Sequence, residues 1–141
     1  AEICFVTLHV GWGTFRPVTQ GMLEEGRLHP ERYSVERQAW ETIRFAKREG
    51  RRIVAVGTTT CRVLETLARR EGVSGETDLL IAPGFEFRAV DALFTNFHLP
   101  KSSLLLLVCA FAGRDRALAA YREAVESGYR FYSYGDAMLI E

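Results

Sequence analysis

Neither sign of charge prevails in this sequence. Its 18 lysines and arginines meet 18 aspartates and glutamates, and the formal net charge is zero. The totals therefore announce neither nucleic acid nor an anionic membrane as partner. Cysteine is scarce, three residues in all. Cys4, Cys61 and Cys109 each sit in an apolar or helical stretch, which predicts reduced, buried, small apolar residues in a cytosolic protein. No CxxC and no Cys/His pairing occurs, so the common zinc patterns are excluded. The longest apolar run, residues 104–113, is too short to span a bilayer. No signal-peptide n-region or cleavage site is visible, and the chain opens without an initiator Met into a strand-like run. A piece of a longer protein is the expectation. Internal repeats and low-complexity linkers are also missing. What is present is ordinary for a globular protein: 141 residues, 48% hydrophobic and 26% charged. That is enough for one domain with a real core.

The chain is organised around residues 95–108, TNFHLPKSSLLLLV. Residues 93–97 read as the end of a strand. Pro100 lacks an N–H and biases Leu99 away from the helical region. Ser102 or Ser103 can then cap a helix. Residues 104–112 are apolar on every side, so that helix is expected to be buried all round. Thr95, Asn96, His98, Lys101 and Ser102 are thus pinned at a strand-to-helix junction, where α/β proteins bind ligands. The plainer reading is a corner whose polar groups cap one another.

Around this pivot, residues 3–10 (ICFVTLHV) read as a buried strand. The loop GWGTFRPV, residues 11–18, is no dinucleotide fingerprint, because Arg16 replaces the third glycine and Pro17 follows. Gly11 and Gly13 still permit close backbone approach, and Trp12, Thr14, Phe15 and Arg16 stand beyond a strand end. Residues 19–30 read as a polar surface connection, and 31–35 as a short extended piece. Residues 36–49 form an amphipathic helix stopped by Gly50. Residues 53–56 (IVAV) form a short buried strand of the parallel type.

Then comes GTTTCRVLE, in which a glycine, three threonines and a helix start follow one another. Free N–H groups and a positive dipole end beside Thr58, Thr59 and Thr60 suit a phosphate, carboxylate or ribose. Arg62, one turn on, is placed to point at the same spot. Otherwise Thr58 or Thr59 is simply the N-cap. Residues 71–77 read as a loop, 78–82 as a strand and 85–90 as a half-exposed strand. Residues 114–127 read as a second helix, 129–134 as an aromatic strand and 137–140 as a last strand. The pattern is α/β: a mostly parallel sheet flanked by helices, with some antiparallel strands.

Several stretches together resemble one family: LHVGWGTFRPV, VGTTTCRVLE, PGFEFRAVDALFTNFHLPKSSLLLLVCAFAG and YREAVESGYRFYSYGDAMLI. They are similar to the carboxyl-terminal part of the S-adenosylmethionine:tRNA ribosyltransferase-isomerases of queuosine biosynthesis. The resemblance covers nearly the whole chain, and its long strings are more specific than any glycine pattern. It implies that the chain is the carboxyl-terminal part of an α/β catalytic domain. The family's amino-terminal half and its inserted β-barrel domain are absent from this chain, which is expected to be inactive alone. It implies transfer and isomerisation of the ribosyl moiety of S-adenosylmethionine onto 7-aminomethyl-7-deazaguanine in a tRNA wobble position. The product is epoxyqueuosine, and adenine and methionine leave. S-adenosylmethionine is a consumed co-substrate, with no metal or other cofactor expected. The partners implied are tRNA, S-adenosylmethionine and the missing half of the same protein. A cytoplasmic monomer without a membrane is expected.

A tRNA partner sits awkwardly with zero net charge. It calls for basic surface from the missing part, or for clustering of Arg16, Arg44, Lys47, Arg48, Arg51 and Arg52.

Such chemistry needs a base for a proton activated by the sulfonium, and a donor held in orientation with water kept out. His98 and Asp136 are the catalytic candidates. His9 lies within a strand and reads better as a core histidine, and Glu86 and Asp91 are weaker. Asp136 could orient a hydroxyl or merely close a turn. Gly11, Gly13, Thr14, Phe15, Arg16, Thr58, Thr59, Thr60, Arg62, Asn96, Lys101 and Ser102 are the substrate-binding candidates. Trp12 and Phe15 could stack on a base. A nucleotide-binding α/β module without catalysis is the alternative, using residues 57–62 as an anion site. A purely structural fragment is a third reading.

Overall fold

The computed structural model describes residues 1–15 and 17–141, and all their side chains except those of Thr14, Phe15 and Tyr134. Two three-stranded sheets hold the described chain together. In the first, β1 (Val6–Leu8) pairs with β2 (Arg27–Val35), and β2 with β4 (Ser74–Leu79), all antiparallel. In the second, β5 (Ala92–Asn96) is central. It runs parallel to β3 (Val54–Val56) and antiparallel to β6 (Ala137–Ile140). The α/β class holds, with helices against a mixed sheet and no barrel among the described residues. Among the described residues, parallel pairing is confined to β3 and β5.

The helix α3 (Thr58–Leu67) lies between the sheets. Val63 and Leu67 pack on Tyr33 and Val35 of the first. Cys61 and Leu64 pack with Ala55 and Leu93 of the second. Burying each such aliphatic side chain stabilises the fold by about 1.5–3 kcal/mol. Packed on both sides, α3 buries even Arg62, Glu65 and Thr66. The amphipathic α2 (Arg37–Arg48) covers this core with Trp40, Ile43 and Ala46. The hairpin of α4 (Ser103–Ala112) and α5 (Arg114–Glu126) packs Val108, Cys109 and Ala117 against Met138 and Ile140.

The other face of the second sheet is bare. Val54, Val56, Phe94 and Leu139 are 44–66% exposed. Val56 pairs with Phe94, and Phe94 with Leu139, so these side chains form one apolar row across three strands.

Several local expectations are corrected. Within residues 3–10 only Val6–Leu8 is strand, while Ile3 and Phe5 stand in solvent and Cys4 is only half-buried. That run has a single partner strand, so half of it has nothing to pair with. Residues 19–30 are no mere connection. Thr19 Oγ1 accepts from Met22 N and caps the short α1 (Gln20–Glu25), which Gly26 ends at φ 67°. The strand β2 then starts at Arg27. Its polar half hides it from hydropathy, because Glu31 occupies an inward position normally apolar. Its pairing with β4 shifts register between Arg27 and Glu31, where Pro30 cannot donate to the ladder.

Residues 71–77 are not all loop. Strand β4 begins at Ser74, because Gly75 admits the Tyr33 ring and the Thr77 hydroxyl meets that of Thr66 inside the core. Residues 85–90 form no strand; their backbone is held instead by Glu65. The Glu65 carboxylate accepts from the N–H groups of Arg88, Ala89 and Val90 at 2.9–3.2 Å. Residues 129–134 form no strand either. Tyr132–Tyr134 is a 3-10 turn, and Phe131 joins Phe97 and Tyr121 in an aromatic cluster. Helix α4 is fully buried only at Ser103, Leu107, Val108 and Cys109 rather than all round.

Candidate functional site

Because β3 and β5 are parallel, their carboxyl ends lie side by side, and Gly57 N donates to Phe94 O at 2.8 Å. Strand β6 enters at the same edge, with Asn96 opposite Ala137. Three segments distant in sequence thus converge: the start of α3, residues 95–98, and Gly135–Asp136. Asn96 Nδ2 ties two of them, donating to the carbonyls of Gly135 (3.5 Å) and Asp136 (3.4 Å).

His98 sits just beyond β5. Its Nε2 shares a 2.9 Å hydrogen bond with Thr95 Oγ1, and its backbone N donates to the Tyr121 hydroxyl oxygen at 2.9 Å. Burial pushes its imidazole pKa down from 6.5 to about 4. The ring is therefore neutral at physiological pH, with a lone pair on one nitrogen, and is a weaker base than an exposed imidazole. Sequence reasoning missed Tyr121. It comes from α5, whose periodicity places it on a packing face and carries no sign of a partner 23 residues away.

Asp136 behaves differently. Its Oδ2 accepts from Arg130 N at 2.8 Å, and Asp136 N donates back to Arg130 O at 2.8 Å. That backbone bond, with help from the Arg130 guanidinium, holds its carboxyl below the usual carboxylate range. The geometry gives it the turn-closing role.

At the α3 start the cap is Gly57, at φ 91°, without a side-chain capping bond. Neither Thr58 nor Thr59 caps the helix, and among the described residues no side chain caps its first turn. Thr60 Oγ1 donates to Val56 O, and Thr58 is buried. Arg62 does not point at this edge. Its Nη1 donates to Glu31 Oε2 at 2.8 Å in a pair exposed by only 3–4%. Glu31 Oε1 in turn accepts from Gly11 N at 2.7 Å. Arg62 therefore acts on the glycine loop through Glu31. Gly13 lies against the His29 ring, and a Cβ there would stand 2.7 Å from its Cδ2. Trp12 is 89% exposed. Arg16 and the side chains of Thr14 and Phe15 lie outside the described residues.

The loop returns to the pivot at Val18, whose N donates to Lys101 O at 3.1 Å. Ser102 is the cap of α4, accepting from Leu105 N at 3.2 Å and donating to Leu99 O at 2.7 Å. Asp91 is structural: Lys47 binds its carboxylate, which also accepts from Ile53 N at 2.9 Å. Burial raises its pKa, but these partners outweigh it and leave the carboxyl below its ordinary value. Cys61 is buried inside α3, and desolvation raises its thiol pKa, so it is no nucleophile. No cluster of His, Cys, Asp and Glu able to hold a metal occurs among the described residues. Two cavities, of about 620 and 700 Å3, are lined by neither His98 nor Asp136.

Residues 1–140 match the model of a family described as queuosine biosynthesis protein. The chain belongs to that family. Queuosine-family relatives include the S-adenosylmethionine:tRNA ribosyltransferase-isomerase of Heliobacterium modesticaldum, 57% identical over 144 residues. That match covers 99% of this chain and 42% of the relative. The enzyme of the same name from Thermus thermophilus is 59% identical, covering 99% of this chain and 41% of the relative. The crystal structure of the S-adenosylmethionine tRNA ribosyltransferase of Thermotoga maritima matches at a TM-score of 0.76 and 57% identity. It covers 79% of this chain and 40% of that one. The chain thus spans about two fifths of the length of these queuosine-family proteins. No described helix is long and apolar enough to cross a membrane.

Proposed function

We propose that this chain is the carboxyl-terminal part of the α/β catalytic domain of an S-adenosylmethionine:tRNA ribosyltransferase-isomerase. The observation that carries this reading is the convergence, in a chain of this family, of a neutral, half-buried imidazole with a helix start that no described side chain caps, at one sheet edge. The reaction moves the ribosyl moiety of S-adenosylmethionine onto 7-aminomethyl-7-deazaguanine in the tRNA wobble position. Epoxyqueuosine forms, and adenine and methionine leave. S-adenosylmethionine is consumed, and no further cofactor takes part. The setting is cytoplasmic and the protein a monomer.

In this reading His98 accepts the proton acidified by the neighbouring sulfonium. Thr95 orients the ring, and Tyr121 fixes the backbone that carries it. Thr59 and the first-turn N–H groups at the α3 start face the ribose or carboxylate of the donor. Asn96 holds the β6 turn against the same edge. The bare row of Val54, Val56, Phe94 and Leu139 supports a further wall supplied by chain outside these 141 residues. Closing that wall would exclude water from the site.

The test is chromatographic detection of adenine released from S-adenosylmethionine, with tRNA carrying the aminomethyl-deazaguanine base. The protein at its full natural length is run beside this chain. Release by the long form alone is expected. His98→Ala in the long form should lower the rate by about 10²-fold or more, the usual contribution of a positioned base. An unchanged rate would leave His98 a structural residue. No release by folded long protein on verified tRNA would overturn the enzyme reading in favour of a nucleotide-binding module.

A further inference from the structure

The charged lining of one surface groove is mainly cationic. A groove of about 620 Å3 runs between α2 and the residues just beyond α3. Five of its lining residues are cationic: Arg44, Lys47, Arg48, Arg70 and Arg88; one, Glu71, is acidic. Arg44, Lys47 and Arg48 stand at i, i+3 and i+4 on one helix face, a spacing at which like charges repel. Trp40 and Leu67 supply an apolar floor.

We propose that this groove binds the phosphodiester backbone of an RNA, and, resting on the function proposed above, that of the tRNA substrate. Several of the cations are already fixed in place. Arg70 donates to Glu76 O at 2.8 Å and to Asp78 Oδ1 at 3.0 Å, and Lys47 is held by Asp91. Arg44 and Arg48 have no ion-pair partner among the described residues and are the ones left to meet phosphates; Arg48 stands 6.0 Å from the Phe45 ring centroid. Arg88 is likewise paired, with Glu86 at 3.7 Å. The two guanidiniums left, Arg44 and Arg48, repel each other one turn apart, and a polyanion lying along them relieves that repulsion. The basic residues that follow in sequence take no part. Arg51 pairs with Glu2 and Arg52 with Glu141, outside the groove. Hence Arg44, Lys47 and Arg48 do cluster, and Arg51 and Arg52 do not join them.

The experiment is fluorescence anisotropy of labelled, unmodified tRNA with the protein at its full natural length, across a series of KCl concentrations. Arg44→Ala/Arg48→Ala should weaken binding about tenfold or more near 0.1 M salt. It should also flatten the plot of log affinity against log salt by about one to two. Arg44→Lys/Arg48→Lys should keep the slope, and Arg51→Ala/Arg52→Ala should match the unaltered protein. Wild-type affinity and slope in Arg44→Ala/Arg48→Ala would overturn the proposal. So would equal losses in the Arg51/Arg52 control, which would signal diffuse charge. A lowered melting temperature with unchanged RNA binding would assign the groove to contacts with the rest of the protein instead. Absence of adenine release by the unaltered protein would strike the enzyme reading alone, since the binding arm does not depend on turnover.

Discussion

Gly135 occupies a position that no side chain can share. A Cβ there would stand 2.7 Å from the carbonyl carbons of Arg130 and Phe131, and nearer still to the Arg130 oxygen. These are backbone atoms, already locked by the Arg130–Asp136 bonds. Gly135→Ala should therefore cost about 2–4 kcal/mol, read as a lowered midpoint of urea denaturation. The glycine was visible in SYGD as a turn signal, but the steric reason lies in a carbonyl five residues upstream. His98 offers a second test at this scale. Its pKa falls from 6.5 to about 4 on folding, so in that window the unfolded chain binds a proton that the folded chain does not. Stability is full above pH 6.5 and declines as pH falls towards 4. The loss should be about 1–2 kcal/mol once the ring's partial exposure is allowed for. Urea titrations between pH 7 and 4 should show this slope, and His98→Gln should flatten it. A variant with an undiminished slope would shift the cause to other groups.

At the scale of elements, α3 and β2 are bound by charge where pattern reading looks for apolar contact. Glu31 and Arg62 form a pair exposed by only 3–4%, and Arg62 Nε and Nη2 have no hydrogen-bond partner among the described residues. Removing one member leaves the other charged and buried. Glu31→Ala should destabilise by about 3–5 kcal/mol, whereas Glu31→Leu/Arg62→Met should cost far less. Equal losses in thermal melts would mean that the pair adds stability beyond mutual neutralisation. Glu65 plays a comparable part for residues 88–90, whose three N–H groups its carboxylate accepts. Glu65→Ala should expose those amides to exchange at least tenfold faster by hydrogen–deuterium measurement, with α3 itself less affected. Neither role was legible in sequence. A glutamate three residues after an arginine reads as a solvated helix face until two sheets are seen to enclose that helix.

For the molecule as a whole, the bare sheet face is the informative surface. Val56, Phe94 and Leu139 align across β3, β5 and β6, and such a row stays in water only at a cost of about 25 cal/mol per Å2. Phe94→Lys should therefore change the melting temperature of this 141-residue chain little. In the protein at full natural length it should lower that temperature by several degrees and reduce adenine release. An equal effect in both would show that the face is not covered by additional chain.

The α/β class, α2, the strand–turn–helix at Gly57, and the cap at Ser102 were all determined by local sequence. They rest on short-range physics: apolar period, glycine at a positive φ, and a hydroxyl within reach of the next turn. The contiguous string TNFHLPKS also placed Asn96 and His98 beside a strand end. Only the tertiary structure decided the rest. It split the strands into two sheets, drew Glu31 and Glu65 into the interior, and set Tyr121 under His98. It also gathered Arg44, Arg70 and Arg88 on one groove. These are pairings between residues far apart in the chain. No local periodicity encodes them, because each is chosen by which faces must be buried together.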